Sequence, residues 1–147
     1  MTKKIIKILL IIVIVGIALL VLIQFIPYGK NHTNPPVVSS PNWDSPQTQL
    51  LAKRACFDCH SNETTWPWYS NIAPISWLVY RDVAEGRSRM NFSNWQSGWP
   101  IETGELSGVI NEGEMPPAQY LLMHPSAKLT AAEKEQLVTG LTNTLTR

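Results

Sequence analysis

The sequence predicts an all-α protein, a small helical domain preceded by a single apolar helix. Apolar residues run from Ile8 to Ile26 with Gln24 as the one interruption. Behind that run, stretches with apolar residues at helical spacing are bracketed by capping residues and glycines. No stretch alternates apolar and polar residues as a half-buried strand does, and no internal repeat is visible.

The apolar run is 19 residues long, which at about 1.5 Å per residue spans roughly the 30 Å hydrocarbon core of a bilayer. A cleaved signal peptide would have a shorter apolar region, about 7 to 15 residues, and a small-residue cleavage site. "VLIQFIPYGK" has no such site, so the run is expected to remain as a transmembrane anchor over 8–26. A buried helix of a globular core would show a polar stripe, and this one is apolar on every face. Lys3, Lys4 and Lys7 precede it, while all eleven Asp and Glu residues lie at Asp44 or later. By the positive-inside rule residues 1–7 stay cytoplasmic and the rest is exported. In a bacterium that places a single-pass chain in the inner (cytoplasmic) membrane, with its C-terminal domain periplasmic or at the outer cell surface. The formal net charge of +1 gives no sign of a nucleic-acid partner. The exported part carries nine Lys and Arg against eleven Asp and Glu, so no strongly charged docking face is expected either.

Residues 27–43, "PYGKNHTNPPVVSSPNW", are rich in Pro, Ser and Asn and lack helical periodicity, which predicts a linker. Tyr28 falls at headgroup level. The folded domain is expected over 44–147. Ser45 or Asp44 can cap a first helix with Pro46 at its first position, running to about Phe57. A second is predicted over Ile75 to Glu85 and ended by Gly86, and a third over Thr103 to Asn111 and ended by Gly113. The last has the strongest marking. Thr130 and Glu133 have capping-box spacing, Leu129 can form the outer half of a hydrophobic staple, and "AAEKEQLVTGLTNTL" follows.

Both cysteines lie in "RACFDCHSNET". A redox dithiol of the thioredoxin kind opens a helix after a strand, whereas this pair closes a predicted helix. A zinc site needs four ligands, and beyond Cys56, Cys59 and His60 only His32 and the distant His124 are available. Covalent attachment of haem explains the spacing best. On a helical turn positions i, i+3 and i+4 project from one face, so Cys56 and Cys59 can form thioethers with the two vinyl groups of one haem c while His60 ligates its iron from below.

For the other side of the iron, "NEGEMPPAQY" supplies Met115, a thioether that pairs with histidine in electron-transfer sites and raises the potential. Pro116 and Pro117 stiffen its loop. His124, before Pro125, is the weaker alternative; Met90, Met123 and His32 follow it. The six tryptophans, Trp43, Trp66, Trp68, Trp77, Trp95 and Trp99, all lie outside the anchor and are expected mainly to build the core. Arg81 or Arg87 can reach a haem propionate.

The segments "IPYGKNHTNPP", "NWDSPQTQLLAKRACFDCHSNETTWPWYSNIAPISWLV", "EGRSRMNFSNW" and "GEMPPAQYLLMHPSAKLTAAEKEQLVTGL" together resemble the bacterial haem-binding domain family, small membrane-anchored proteins similar to c-type cytochromes. The resemblance covers about Ile26 to Leu141. It implies a cytochrome-c-like helical domain around one covalent haem, with thioethers at Cys56 and Cys59, iron ligation by His60 and a distal ligand at Met115. The function expected is haem binding and one-electron transfer, by a carrier rather than an enzyme, with redox partners unnamed. The alternatives are a gas or redox sensor or small peroxidase-like enzyme with an open sixth position, or a haem module of a larger membrane complex.

Overall fold

The computed structural model describes residues 2–95 and 102–146; Trp99 lies outside the described residues. The described elements are α1 (Lys3–Ile23), α2 (Pro46–Ala55), α3 (Phe57–His60), α4 (Ile75–Arg89), α5 (Thr103–Asn111), α6 (Ala118–Met123) and α7 (Ala131–Leu145), with 3-10 turns at Trp68–Asn71 and Pro125–Ala127. The protein is all-helical, as its sequence predicts, and among the described residues the one extended pairing is an isolated bridge between Ser39 and Asn94. The chain divides into two compact units, Met1–Thr33 with Trp66–Asp82, and Asn34–Thr65 with Val83–Arg147.

In the first unit, α1 buries none of its side chains, and its mean hydropathy of 3.4 suits a lipid surrounding. It ends at Ile23, and Gln24 turns its side chain to the backbone of Ala73. The Gln24 amide donates to the Ala73 carbonyl and its oxygen accepts from the Ala73 N–H, each at 2.9 Å. Tyr28 meets Tyr80 edge to face at 5.3 Å.

The second unit is a helical cluster built on α2, α5 and α7. Ser45 caps α2 by accepting from the Thr48 N–H at 3.2 Å, and Pro46 occupies the first turn. The capping box on α7 is complete: Thr130 accepts from the Glu133 N–H and Glu133 from the Thr130 N–H. Leu129 does not act as a staple, since the position it would pair with is Lys134; it is buried in the core instead. Leu51, Ala52, Phe57, Met90, Phe92, Leu106, Ile110, Leu137 and Leu141 complete most of that core. The α2–α7 crossing is tight because α7 has a glycine there. A Cβ on Gly140 would lie 2.0 Å from Thr48 Oγ1, so a helix-weakening residue is required by close approach. Residues 34–43 carry no helix but are hydrogen-bonded along this unit, with Val38 N donating to Ser93 O at 2.8 Å, Ser39 Oγ to Trp95 O at 2.9 Å and Asn62 Nδ2 to Pro36 O at 2.9 Å.

Two predicted boundaries are corrected. The first helix does not run to Phe57; it stops at Ala55, and Cys56 (φ −124°, ψ −31°) breaks the axis before the separate turn α3. The second does not stop at Gly86 but continues to Arg89. Gly86 is inside the helix because a Cβ there would lie 2.5 Å from the Cys59 carbonyl oxygen. A neighbouring backbone, not a helix end, calls for glycine. The Thr103–Asn111 helix has the predicted bounds, with Gly113 beyond it at φ 81°.

Candidate functional site

The segment from Cys56 to His60 closes on one carbonyl. Cys56 N donates back to Ala52 O at 2.8 Å, and Cys56 O then accepts from both Cys59 N at 3.2 Å and His60 N at 2.8 Å. The helix is broken at Cys56, yet the i, i+3, i+4 relation among Cys56, Cys59 and His60 is that of a helical turn. Phe57, between them, turns into the core and stacks on Phe92 with centroids 5.2 Å apart; Trp43 and Trp95 extend the same aromatic cluster. Trp43 and Trp95 thus take the core role expected of most tryptophans, whereas Trp68 is exposed and Trp66 stacks on His32.

The two cysteines are not joined to each other. Cys56 packs against the core. Burial, with the adjacent Cys59 adding to it, pushes the Cys56 thiol up to about 12. It is therefore a neutral thiol at neutral pH.

His60 is oriented by backbone. Its Nδ1 lies 3.1 Å from Met90 O, and because a carbonyl can only accept, Nδ1 must carry the proton. The lone pair is then on Nε2, the arrangement that a metal-ligating histidine needs. Burial lowers the imidazole pKa below its usual value, against the opposing pull of the Met90 and Gly86 carbonyls. Phe92 N donates to His60 O at 2.8 Å, so the residues following α4 hold both the ring and the main chain of His60.

The chain leaving the turn is fastened by a polar network that the sequence does not announce. Arg87 Nε donates to Ser61 O at 2.7 Å, and its guanidinium also donates to Thr64 Oγ1 and Asn34 Oδ1, each at 2.9 Å. Thr64 Oγ1 in turn donates to Asp58 O at 2.7 Å, and Asp58 Oδ1 accepts from Thr65 N at 2.9 Å. Arg87, a candidate for a propionate, thus braces the loop behind the cysteines. Arg81 pairs with Asp82 at 3.2 Å in the other unit.

Met115 is partly exposed, in the loop between α5 and α6, where its N–H donates to Val109 O at 2.9 Å. The segment it begins is tied to the cysteine turn by Tyr120, whose hydroxyl donates to Asp58 Oδ2 at 2.8 Å. Sequence reasoning passed over Tyr120 and Asp58, although both lie inside motifs it singled out. His124 follows α6, with Nδ1 3.1 Å from Tyr120 O and its ring stacked 4.1 Å from that of Tyr120. Met90 is buried in the core, and its main-chain carbonyl is the one that His60 Nδ1 meets. His32 belongs to the other unit, where it stacks on Trp66 and meets Ser70 O at 3.0 Å.

A turn with two thiols, a neutral imidazole whose lone pair is on the outer nitrogen, and an aromatic and aliphatic core beneath it fit a haem on chemical grounds. Comparison with curated proteins and with solved structures returns no match. The sequence model of the haem-binding domain matches residues 18–143, a span that contains the cysteine turn, its bracing network and the methionine loop. The chain belongs to the haem-binding domain family, and haem is what it binds.

Proposed function

We propose that the protein is a membrane-tethered monohaem cytochrome of the c type that carries one electron at a time outside the cytoplasm. The observation that carries this reading is the hydrogen bond from His60 Nδ1 to the Met90 carbonyl on the turn that also holds Cys56 and Cys59. When bound, haem supplies an iron centre that gains and loses one electron. Cys56 and Cys59 would hold the group covalently, each thiol adding across one vinyl double bond with its hydrogen passing to the vinyl carbon. His60 would ligate the iron through Nε2, and Met115 would supply a second ligand, with His124 as the weaker alternative. Tyr120 and Asp58 position the methionine segment; Arg87 keeps the turn's exit in place. Residues 1–7 remain in the cytoplasm, 8–26 cross the inner membrane, 27–43 connect, and 44–147 form the haem domain in the periplasm or at the cell surface.

The test is spectroscopic. Protein made with a haem-attachment system should keep its colour through denaturing electrophoresis and acidified organic solvent. Colour lost in either step would reject covalent attachment. A second reading, a sensor or small enzyme with an open sixth position, is favoured by the 38 % exposure of Met115. Carbon monoxide separates the two: a carrier with Met115 on the iron should leave the reduced spectrum unchanged on exposure to the gas, and a sensor should not.

A further inference from the structure

The first unit contains more than the apolar helix. Residues 66–82, "WPWYSNIAPISWLVYRD", belong to the same unit as α1, and the junction between them is specific. Gln24, one residue past the end of α1, holds both backbone groups of Ala73 at 2.9 Å. A second approach reinforces it: a Cβ on Gly29 would lie 2.7 Å from Ser76 O, so the backbones touch there. Lys30 Nζ also bonds to the Gln24 carbonyl.

These contacts fix a depth. The apolar part of α1, from Ile8 to its end at Ile23, extends about 24 Å at 1.5 Å per residue, within the roughly 30 Å hydrocarbon thickness, so Gln24 lies near the outer edge of the span. Ala73 is held at the same level. Its neighbours are apolar and turned outward: Ile72 is 44 % exposed, Ile75 48 % and Trp68 72 %, while Phe25 and Tyr28 are likewise exposed on the chain leaving the span. Trp68 opens a 3-10 turn over Trp68–Asn71 that is closed next to Ala73, with Tyr69 O accepting from Ile72 N at 3.1 Å. Large apolar side chains exposed together mark an interaction surface, and tryptophan and tyrosine favour the boundary between hydrocarbon and water. A continuous chain ties this surface to a membrane-crossing helix at interface height, which singles out the occupant.

We propose that Trp68, Ile72 and Ile75 form a second membrane contact, an interfacial foot that dips into the outer face of the bilayer in which α1 is embedded. The proposal rests on the reading of α1 as a transmembrane anchor. Together the span and the foot give two attachments, so the unit cannot swivel about α1 as a single tether would allow.

Full-length protein carrying p-benzoylphenylalanine at position 14, 68, 72 or 75 would be reconstituted in vesicles of phosphatidylethanolamine and phosphatidylglycerol and irradiated, with adducts located by mass spectrometry. Position 14, mid-helix, reports on the anchor. Lipid adducts from 14 near the acyl chain ends, and from 68, 72 and 75 at the glycerol and upper acyl carbons, are the expected result. Adducts from 14 with none from the three foot positions, or protein–protein adducts there in place of lipid, would overturn the foot while leaving the anchor standing. No lipid adduct from 14 would overturn the anchor and the foot with it.

Discussion

His60 has two ring nitrogens with separate tasks: Nδ1 is committed to the Met90 carbonyl, and Nε2 has the lone pair a metal requires. Met115 has no comparable fixation of its side chain. Its main chain bonds to Val109 O, and the rest of its placement comes through Tyr120 and Asp58. Met115→Ala should leave the haem covalently attached while removing the soft ligand that favours Fe(II). The reduction potential should then fall by on the order of 0.1 V or more, within the ~0.8 V range axial ligands command, and the reduced variant should take up carbon monoxide. His124→Ala should change neither. Redox titration and a carbon monoxide difference spectrum of the two variants decide it; a shift confined to His124→Ala would transfer the distal role to that histidine. The turn that brings Cys56, Cys59 and His60 together was legible in the sequence because a spacing of three and four residues is that of one helical turn. The carbonyl that orients His60 was not, since Met90 lies thirty residues away and its backbone has no sequence signature.

The same contrast governs the elements. The start of α7 was readable because a capping box is contained in four successive residues, and Thr130 with Glu133 forms it as expected. Backbone and side-chain bonds from Thr130, with Arg54 beside it at 2.6 Å, hold the Glu133 carboxyl at about 2. A carboxylate depressed in the folded state adds stability above its ordinary unfolded value, near 4.5, and loses that contribution as pH falls toward 2. Glu133→Gln should therefore flatten the loss of stability between about pH 5 and pH 2, as measured by denaturant unfolding at a series of pH values. An unchanged acid limb would show that the box has no such role. Gly86 was misread for the opposite reason. Glycine near the end of an apolar-periodic stretch signals a stop, and only the folded chain reveals the Cys59 backbone beside it. Alanine gains about 1 kcal/mol in a helix interior, yet a Cβ at 2.5 Å from Cys59 O must displace one backbone or the other, at a cost of about 1–3 kcal/mol. Gly86→Ala should lower the unfolding midpoint and, by moving Cys59, reduce haem incorporation; equal stability with full haem loading would show that the approach is not tight. The short helix α6 and the 3-10 turns were not anticipated, being too brief for periodicity to register.

Across the whole chain, polarity is distributed in a way that a soluble protein would not need. Between Ile8 and Ile26 the single polar side chain is Gln24, and an amide left unpaired in hydrocarbon costs several kcal/mol. Here it lies one residue beyond α1 with three hydrogen bonds, to Leu20 O and to both backbone groups of Ala73. That arrangement suits a helix that ends at the membrane surface. In the proposed topology the lysines at the other end set the orientation. A reporter enzyme active only after export should work when fused after Leu145 and fail when fused after Lys7, and the chain should stay with membranes through alkaline carbonate washing. Replacing Val15 and Ile17 by Asp, each opposed by about 2.5–3.5 kcal/mol at the centre of a span, should release the chain from the membrane pellet. A reporter after Leu145 active only in the cytoplasm would invert the topology and place the cysteine turn on the wrong side of the membrane for an exported cytochrome. Retention in the pellet after both Asp substitutions would mean that something other than α1 holds the chain to the bilayer.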